Sequence, residues 1–297
     1  MSLGRAYALL ALVVLLWGVN WPIMKMGLAY ITPLWFATTR MFLGALCLFA
    51  FLWLTGRIVR PGRREAAILI SVGVMQIGLP TGLIHTGLLN TEAGRSAILV
   101  FTMPLWVAPM AVVFLDERLT AMKLGGLVLG LAGIAVLFNP LTFDFGDPTA
   151  LVSNGFMLGA SVSFAIAIIL VRRHRWTVPI IRLMPWQMLL GTGLLAIAAA
   201  AIEGPPNARW SAGFAAIMAY NGPVASAFCF WAYVTVSRSL PAMSTALGSL
   251  GVPAVGILSA VLILDEAFTL ALVSGLVLIV AGVLAVTVGD IGRARSG

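Results

Sequence analysis

Residues Ala93–Gly133 and Ala242–Gly282 align without gaps at an offset of 149, and 15 of the 41 positions are identical. The identities include Pro104/Pro253, Asp116/Asp265, Glu117/Glu266, Thr120/Thr269 and Gly133/Gly282. The run Gly126-Leu127-Val128-Leu129 returns as Gly275-Leu276-Val277-Leu278. An apolar composition supplies chance matches among Ala, Leu and Val. It does not supply a shared Asp-Glu-x-x-Thr turn behind a shared proline. The chain is an internal duplication, and a duplicated unit restricts the architecture before any single residue is interpreted.

What the unit is made of follows from hydropathy. Of the 297 residues, 61% are hydrophobic and 9% charged, against about 25% charged in a soluble domain. Apolar runs recur from Ala6 to Val288 with short polar breaks. The pattern predicts ten spans, at 6–28, 34–55, 66–88, 92–115, 122–139, 149–171, 180–202, 211–236, 241–264 and 269–289. Each is about 20 residues long, enough at 1.5 Å per residue to cross a hydrocarbon core of about 30 Å. The predicted fold is all-α and integral to the membrane, with a first repeat at 1–139, an outer linker at 140–148 and a second repeat at 149–297. Arg5 before an apolar run imitates a signal peptide, but no small-x-small site precedes Trp17-Gly18, so this stretch reads as the first helix. Cys47 and Cys229 fall mid-span, which argues against a disulfide framework or a metal centre.

With the N-terminus in the cytoplasm, the inner loops and ends hold thirteen basic residues: Arg5, Arg57, Arg60, Arg63, Arg64, Arg118, Lys123, Arg172, Arg173, Arg175, Arg238, Arg293 and Arg295. The outer loops hold only Arg209. That positive-inside asymmetry places both termini in the cytoplasm of an inner (plasma) membrane, and it accounts for the net charge of +8 without nucleic acid. Five helices per repeat is an odd number, so the second copy enters the membrane upside down. Glu117 is then cytoplasmic and Glu266 external. At a second offset, 143, Gly18-Val19-Asn20 meets Ser161-Val162-Ser163 and Pro80 meets Pro223. Inverted repeats suit a secondary transporter, because two near-equivalent halves give two near-equivalent conformations open to opposite sides.

Polar residues and helix breakers gather at mid-depth: Pro22, Pro80, Pro104, Pro223 and Pro253 as breaks or hinges, with Trp17, Asn20, Gln76, Ser163 and Asn221 beside them. A proline inside a span frees a carbonyl, tolerable in lipid only where protein or a wet cavity satisfies it. The alternative is a kink packed by small residues such as Gly248, Gly251 and Gly256. Five interrupted helices at matching places favour a central cavity between the repeats. Lys25, Arg40, His85 and Arg95 map to the outer half of the bilayer, about 7 to 12 Å above the midplane at 1.5 Å per residue, with no Asp or Glu at that depth. Snorkelling to the headgroups accounts equally well for Lys25 and Arg95, and a lone span histidine is more often structural than a proton relay. Arg40 lies deeper, and a cationic site without carboxylates favours a carboxylate-bearing cargo. Trp35, Trp53, Trp176 and Trp210 sit at span ends as an interfacial belt. Trp17, Trp21, Phe101, Trp106, Phe164, Phe228 and Trp231 lie deeper, where those facing a cavity suit an apolar or aromatic side chain.

The stretch Leu15-Leu16-Trp17-Gly18-Val19-Asn20-Trp21-Pro22-Ile23-Met24-Lys25 resembles the opening of the drug/metabolite transporter (DMT) superfamily. Arg40, then Pro104…Asp116-Glu117-Arg118-Leu119-Thr120 and its twin Pro253…Asp265-Glu266-Ala267-Phe268-Thr269, resemble the two modules of its EamA-type branch, with Asp-Glu where the family has Gly-Glu. The resemblance covers essentially the whole chain. It implies a ten-helix carrier with the fifth and tenth helices behind and the others around a central cavity. Within the family, the YddG-type exporters of aromatic amino acids look closest.

The expected function is therefore secondary transport, export or facilitation, of small metabolites, foremost amino acids with apolar or aromatic side chains, by alternating access. Candidate cavity residues are Trp17, Asn20, Arg40, Gln76, His85, Arg95, Phe101, Ser163, Asn221 and Trp231. No cofactor, metal or catalytic residue is expected, the partners are the cargo and the lipid bilayer, and the sequence leaves the oligomeric state open, a monomer being compatible with it. The alternatives are an antiporter of phosphorylated sugars or nucleotide sugars and, from another class, a membrane-embedded enzyme or lipid-handling scaffold. The enzyme would need a reactive cluster at the water interface, and the sequence offers none.

Overall fold

The computed structural model describes residues 1–138, 147–264 and 270–296, so the expectations placed on Asp265, Glu266, Thr269 and most of the outer linker fall outside the described residues. Among these residues the chain forms ten helices: α1 (Leu3–Gly27), α2 (Pro33–Leu54), α3 (Arg63–Leu88), α4 (Ala93–Leu115), α5 (Ala121–Phe138), α6 (Pro148–Arg173), α7 (Ile180–Ile202), α8 (Ala212–Ser239), α9 (Ala242–Ile263) and α10 (Leu270–Ser296). Eight are long and apolar enough to cross a bilayer, and the apolar stretches of α5 and α10, Ala121–Val136 and Val273–Val286, are shorter. The outer surface carries large apolar side chains with no protein neighbour to cover them, such as Leu262 at 81% exposure, Leu54 at 77% and Ile197 at 71%. Lipid is the solvent that makes such a surface stable.

The packing is two-fold symmetric in its pairings. α1 lies on α9 as α6 lies on α4, and α2 lies on the middle of α8 as α7 lies on the middle of α3, while α2 against α7 and α5 against α10 pair like with like. The α5/α10 contact is the most extensive, and its seam explains four of the duplicated positions. A Cβ on Gly133 would stand 2.7 Å from the Gly275 carbonyl oxygen, and one on Gly126 would stand 2.8 Å from that of Gly282. The pair Gly126–Gly282 maps onto Gly275–Gly133 under the repeat. Only glycine allows two backbones this close.

Four helices are irregular, again in matched pairs. The π-helical segments Ser71–Gly78 in α3 and Asn221–Phe228 in α8 are each eight residues long and lie 150 residues apart (221 − 71). α4 breaks at Phe101-Thr102 before Pro104, and α9 breaks at Ser249-Leu250 before Pro253. A π turn leaves carbonyls without an axial donor. Each repeat supplies the other's missing donor: Trp17 Nε1 of α1 donates to the Ala225 carbonyl at 2.9 Å, and Ser163 Oγ of α6 donates to the Met75 carbonyl at 2.7 Å. Ala225 and Met75 are also 150 residues apart. The repeat register is therefore 150 through α3 and α8, so Pro80 and Pro223 are not equivalent. Pro223 lies within a π segment, and Pro80 opens the α-helical turn that follows one. Pro22 interrupts nothing. It sits inside the continuous α1, and the Gly18 carbonyl that it leaves free takes a long bond of 3.4 Å from Ser259 Oγ.

Candidate functional site

Between the two repeats lies a cavity lined by α1, α2, α3, α4, α6 and α8. α1 contributes Trp17, Asn20, Trp21 and Met24, a stripe at i, i+3, i+4 and i+7, and α3 contributes Thr81, Ile84 and His85 at i, i+3 and i+4. Arg40 comes from α2, Phe101 from the break in α4, Phe164 from α6 and Phe230 from α8. The cavity and its open mouth hold about 450 Å³ of empty space.

Five of the ten residues expected at the cavity line it: Trp17, Asn20, Arg40, His85 and Phe101. The other five serve elsewhere or stand aside. Ser163 bonds the Met75 carbonyl. Asn221 Nδ2 bonds the Ile217 carbonyl one turn back, at 3.0 Å. Gln76 is buried within the π segment of α3, Trp231 is half-buried with its ring 5.8 Å from that of Phe228, and Arg95 is half-buried in α4 outside the cavity lining. Lys25 is neither cargo ligand nor free to snorkel: its Nζ donates to the carbonyls of Leu88 at 2.7 Å and Thr91 at 2.8 Å and so closes the C-terminal end of α3.

Arg40 is the cation of the cavity wall, and it is 3% exposed. Its Nε donates to Ser226 Oγ at 3.0 Å and its Nη1 lies 2.9 Å from Met24 Sδ. A hydroxyl and a thioether are weak partners for a guanidinium, which has five donors. Among the described residues no carboxylate forms an ion pair with Arg40. His85 Nδ1 lies 2.8 Å from the Thr81 carbonyl, and its ring centroid is 5.2 Å from that of Phe36. Sequence reasoning missed Met24, Thr81, Ser226 and Phe230. The helical stripe starting at Trp17 would have found Met24. Nothing local points to Ser226, which reaches Arg40 across 186 residues of chain.

At the basic face of the bundle, Glu117 closes the space between helix ends. Asp116 ends α4 in the left-handed region, at φ 53° and ψ 28°, and turns Glu117 back toward α9. The Glu117 carboxylate accepts from the Ala242 backbone N–H at 2.6 Å, at the start of α9. It also pairs with Arg172 at 3.4 Å and Lys123 at 3.9 Å. Arg172 donates in addition to the Leu240 carbonyl. The duplicated Asp-Glu turn thus joins the ends of α4 and α6 to the starts of α5 and α9.

Comparison with known proteins agrees with this architecture. The model of the EamA-like transporter family matches residues 4–139 and 152–288, one match per repeat. "Uncharacterized transporter YvbV" of Bacillus subtilis (strain 168) is 30% identical over 280 residues, covering 94% of this chain and 90% of its own. The "Probable terminal-alkyne amino-acid exporter" of Streptantibioticus cattleyicolor is 27% identical over 306 residues, covering 99% of this chain and 97% of its own. One crystal structure superposes with a TM-score of 0.77 at 20% identity, over 95% of this chain and 98% of its own, which shows the shared fold. With two family modules, ten helices and a cavity between the repeats, the chain belongs to the EamA-like transporters of the drug/metabolite transporter superfamily, and is a multi-pass membrane protein that moves small molecules.

Proposed function

We propose that the protein exports amino acids with apolar or aromatic side chains by alternating access between its repeats, holding the cargo's carboxylate on Arg40. The observation that carries this reading is a buried guanidinium whose partners among the described residues are a hydroxyl and a thioether, in a cavity whose wall includes Trp17, Trp21, Phe101, Phe164 and Phe230. A guanidinium at membrane depth costs about 2.5–3.5 kcal/mol on insertion scales, and a cargo carboxylate offsets that cost. Aromatic walls suit an apolar side chain. One relative carries the name of an amino-acid exporter. Phosphorylated sugars fit less well, since Arg40 is the one cation among the residues lining the cavity and a phosphate dianion calls for more. Among the described residues no Asp or Glu lines the cavity, so on this reading transport runs down the cargo gradient without a carboxylate proton carrier there. On this reading the basic face lies in the cytoplasm of a plasma membrane.

Counterflow in proteoliposomes tests the reading, with a panel of amino acids, drugs and phosphorylated sugars. Apolar and aromatic amino acids are expected to exchange, and to keep exchanging when a proton gradient is dissipated. Arg40→Gln should raise the half-saturation concentration for an amino acid far more than for the matching amine. Exchange of phosphorylated sugars only, or equal loss for acid and amine, refutes it.

A further inference from the structure

Two acceptors in the cavity wall have no hydrogen-bond partner among the described residues. Asn20, 2% exposed, leaves Oδ1 unpaired, and His85, 1% exposed, leaves Nε2 unpaired. The Thr81 carbonyl beside His85 Nδ1 can only accept, so Nδ1 carries the hydrogen. In the neutral ring Nε2 then presents a lone pair. A buried acceptor without a donor bears its whole desolvation cost, and such atoms in a native fold call for a missing partner. Arg40 is the one cation among the residues lining the cavity, and the hydrogen bonds it makes run to Ser226 and Met24, not to these two acceptors.

Arg40 on the same wall supplies donors only. An α-amino acid presents the complementary pair, an anion that accepts and, one carbon away, an ammonium with three hydrogens to donate. From this complementarity we infer that Asn20 and His85 hold the α-ammonium of the cargo, so that the cavity selects zwitterions over simple carboxylates and simple amines. The inference rests on the amino-acid reading above and adds to it the group that reads the nitrogen.

Three ligands of one shape separate the roles: L-phenylalanine, 3-phenylpropionate, which lacks the ammonium, and 2-phenylethylamine, which lacks the carboxylate. Competition against counterflow in wild-type proteoliposomes should rank phenylalanine above 3-phenylpropionate by about tenfold or more, the discrimination that a lost charge-assisted hydrogen bond brings. Asn20→Leu and His85→Leu should each weaken phenylalanine by about tenfold and 3-phenylpropionate far less, so that the discrimination collapses. Arg40→Gln should do the converse, collapsing the preference for phenylalanine over 2-phenylethylamine. The wild-type ranking needs no variant to fold. If 3-phenylpropionate competes as well as phenylalanine while Arg40→Gln still acts through the carboxylate, the ammonium site is refuted and the amino-acid reading stands. Losses of equal size for both ligands in the Asn20 and His85 variants also refute it. If phenylalanine is not transported by the wild type, both fail together.

Discussion

Replacing Glu117 with Gln should open the basic face of the bundle without unfolding it. The amide keeps one carbonyl oxygen for the Ala242 N–H, now at 2.6 Å from the carboxylate, and loses the charge. A hydrogen bond to a charged group contributes about 1.5–3 kcal/mol and a neutral one about 0.5–1.5, so that exchange removes about 1–1.5 kcal/mol. The pairs to Arg172 at 3.4 Å and Lys123 at 3.9 Å are partly screened, with the Glu117 side chain 11% exposed. At about 0.2–1 kcal/mol each, they bring the total to about 2–3 kcal/mol. If alternating access separates the end of α4 from the start of α9, this energy belongs to one conformation only, and its loss shifts the balance about 30- to 150-fold.

The measurement is thiol labelling in reconstituted vesicles. A cysteine at Ala246, fully buried one turn into α9, is placed in a background without Cys47 and Cys229. A membrane-impermeant maleimide is supplied from the basic face. Glu117→Gln should raise the labelling rate by at least tenfold at an unchanged far-ultraviolet circular dichroism spectrum. Unchanged labelling with an unchanged melting temperature would show that the carboxylate carries no conformational preference. Unchanged labelling with a lower melting temperature would show that it caps α9 in both conformations.

Trp17→Phe and Ser163→Ala should each strand one carbonyl of a π segment, and each should lower stability by about 1–3 kcal/mol, read as a drop in melting temperature in detergent; an unchanged value in both would remove the cross-repeat bonds from the account. Gly133→Val drives a side chain toward the Gly275 carbonyl oxygen, 2.7 Å from where its Cβ would lie, and should cost about 1–3 kcal/mol by overpacking; wild-type stability would mean that α5 and α10 can slide apart freely. Single cysteines replacing Arg60 and Asn207, in the equivalent loops between α2 and α3 and between α7 and α8, should label from opposite sides of the membrane, and labelling from one side would overturn the inverted topology.

Helix count and symmetry were legible because both are coded by bulk hydropathy and by residues with a unique geometric role. Gly126, Gly133, Gly275 and Gly282 remain glycine in both copies since any Cβ would strike the facing backbone, and Asp116 supplies the left-handed turn that aims Glu117. Another symmetric pair was missed for want of a gap in the alignment. Gly44 of α2 packs on the π segment of α8, where a Cβ would come within 3.0 Å of Ser226 Cβ. Gly191 of α7 packs on that of α3, where a Cβ would come within 2.7 Å of Ile77 Cγ2. The offset there is 147 (191 − 44), between the 143 read at α1 and the 150 of the π segments, because loops of unequal length separate the helices.

The cavity was half legible for a different reason. In water, a helix shows which face is buried by the period of its apolar residues. In lipid both faces are apolar, so residue type survives as a signal and direction does not. Trp17, Asn20, Arg40, His85 and Phe101 were found because their types are costly or bulky at that depth; Ser163 and Asn221 were chosen by the same criterion and turn out to bond backbone carbonyls. Trp17 and Ser163 sharpen the point. They do the same work in the two repeats, closing the carbonyl of a π turn in the other, with an indole in one and a hydroxyl in the other. A duplicated role filled by unlike side chains leaves no identity for an alignment to detect. Once each donor is tied to the opposite repeat, the two halves cannot separate there without stranding a carbonyl in a dry interior. The motion between the repeats is therefore expected away from these bonds, in the broken helices α4 and α9 and at the Glu117 end of the bundle.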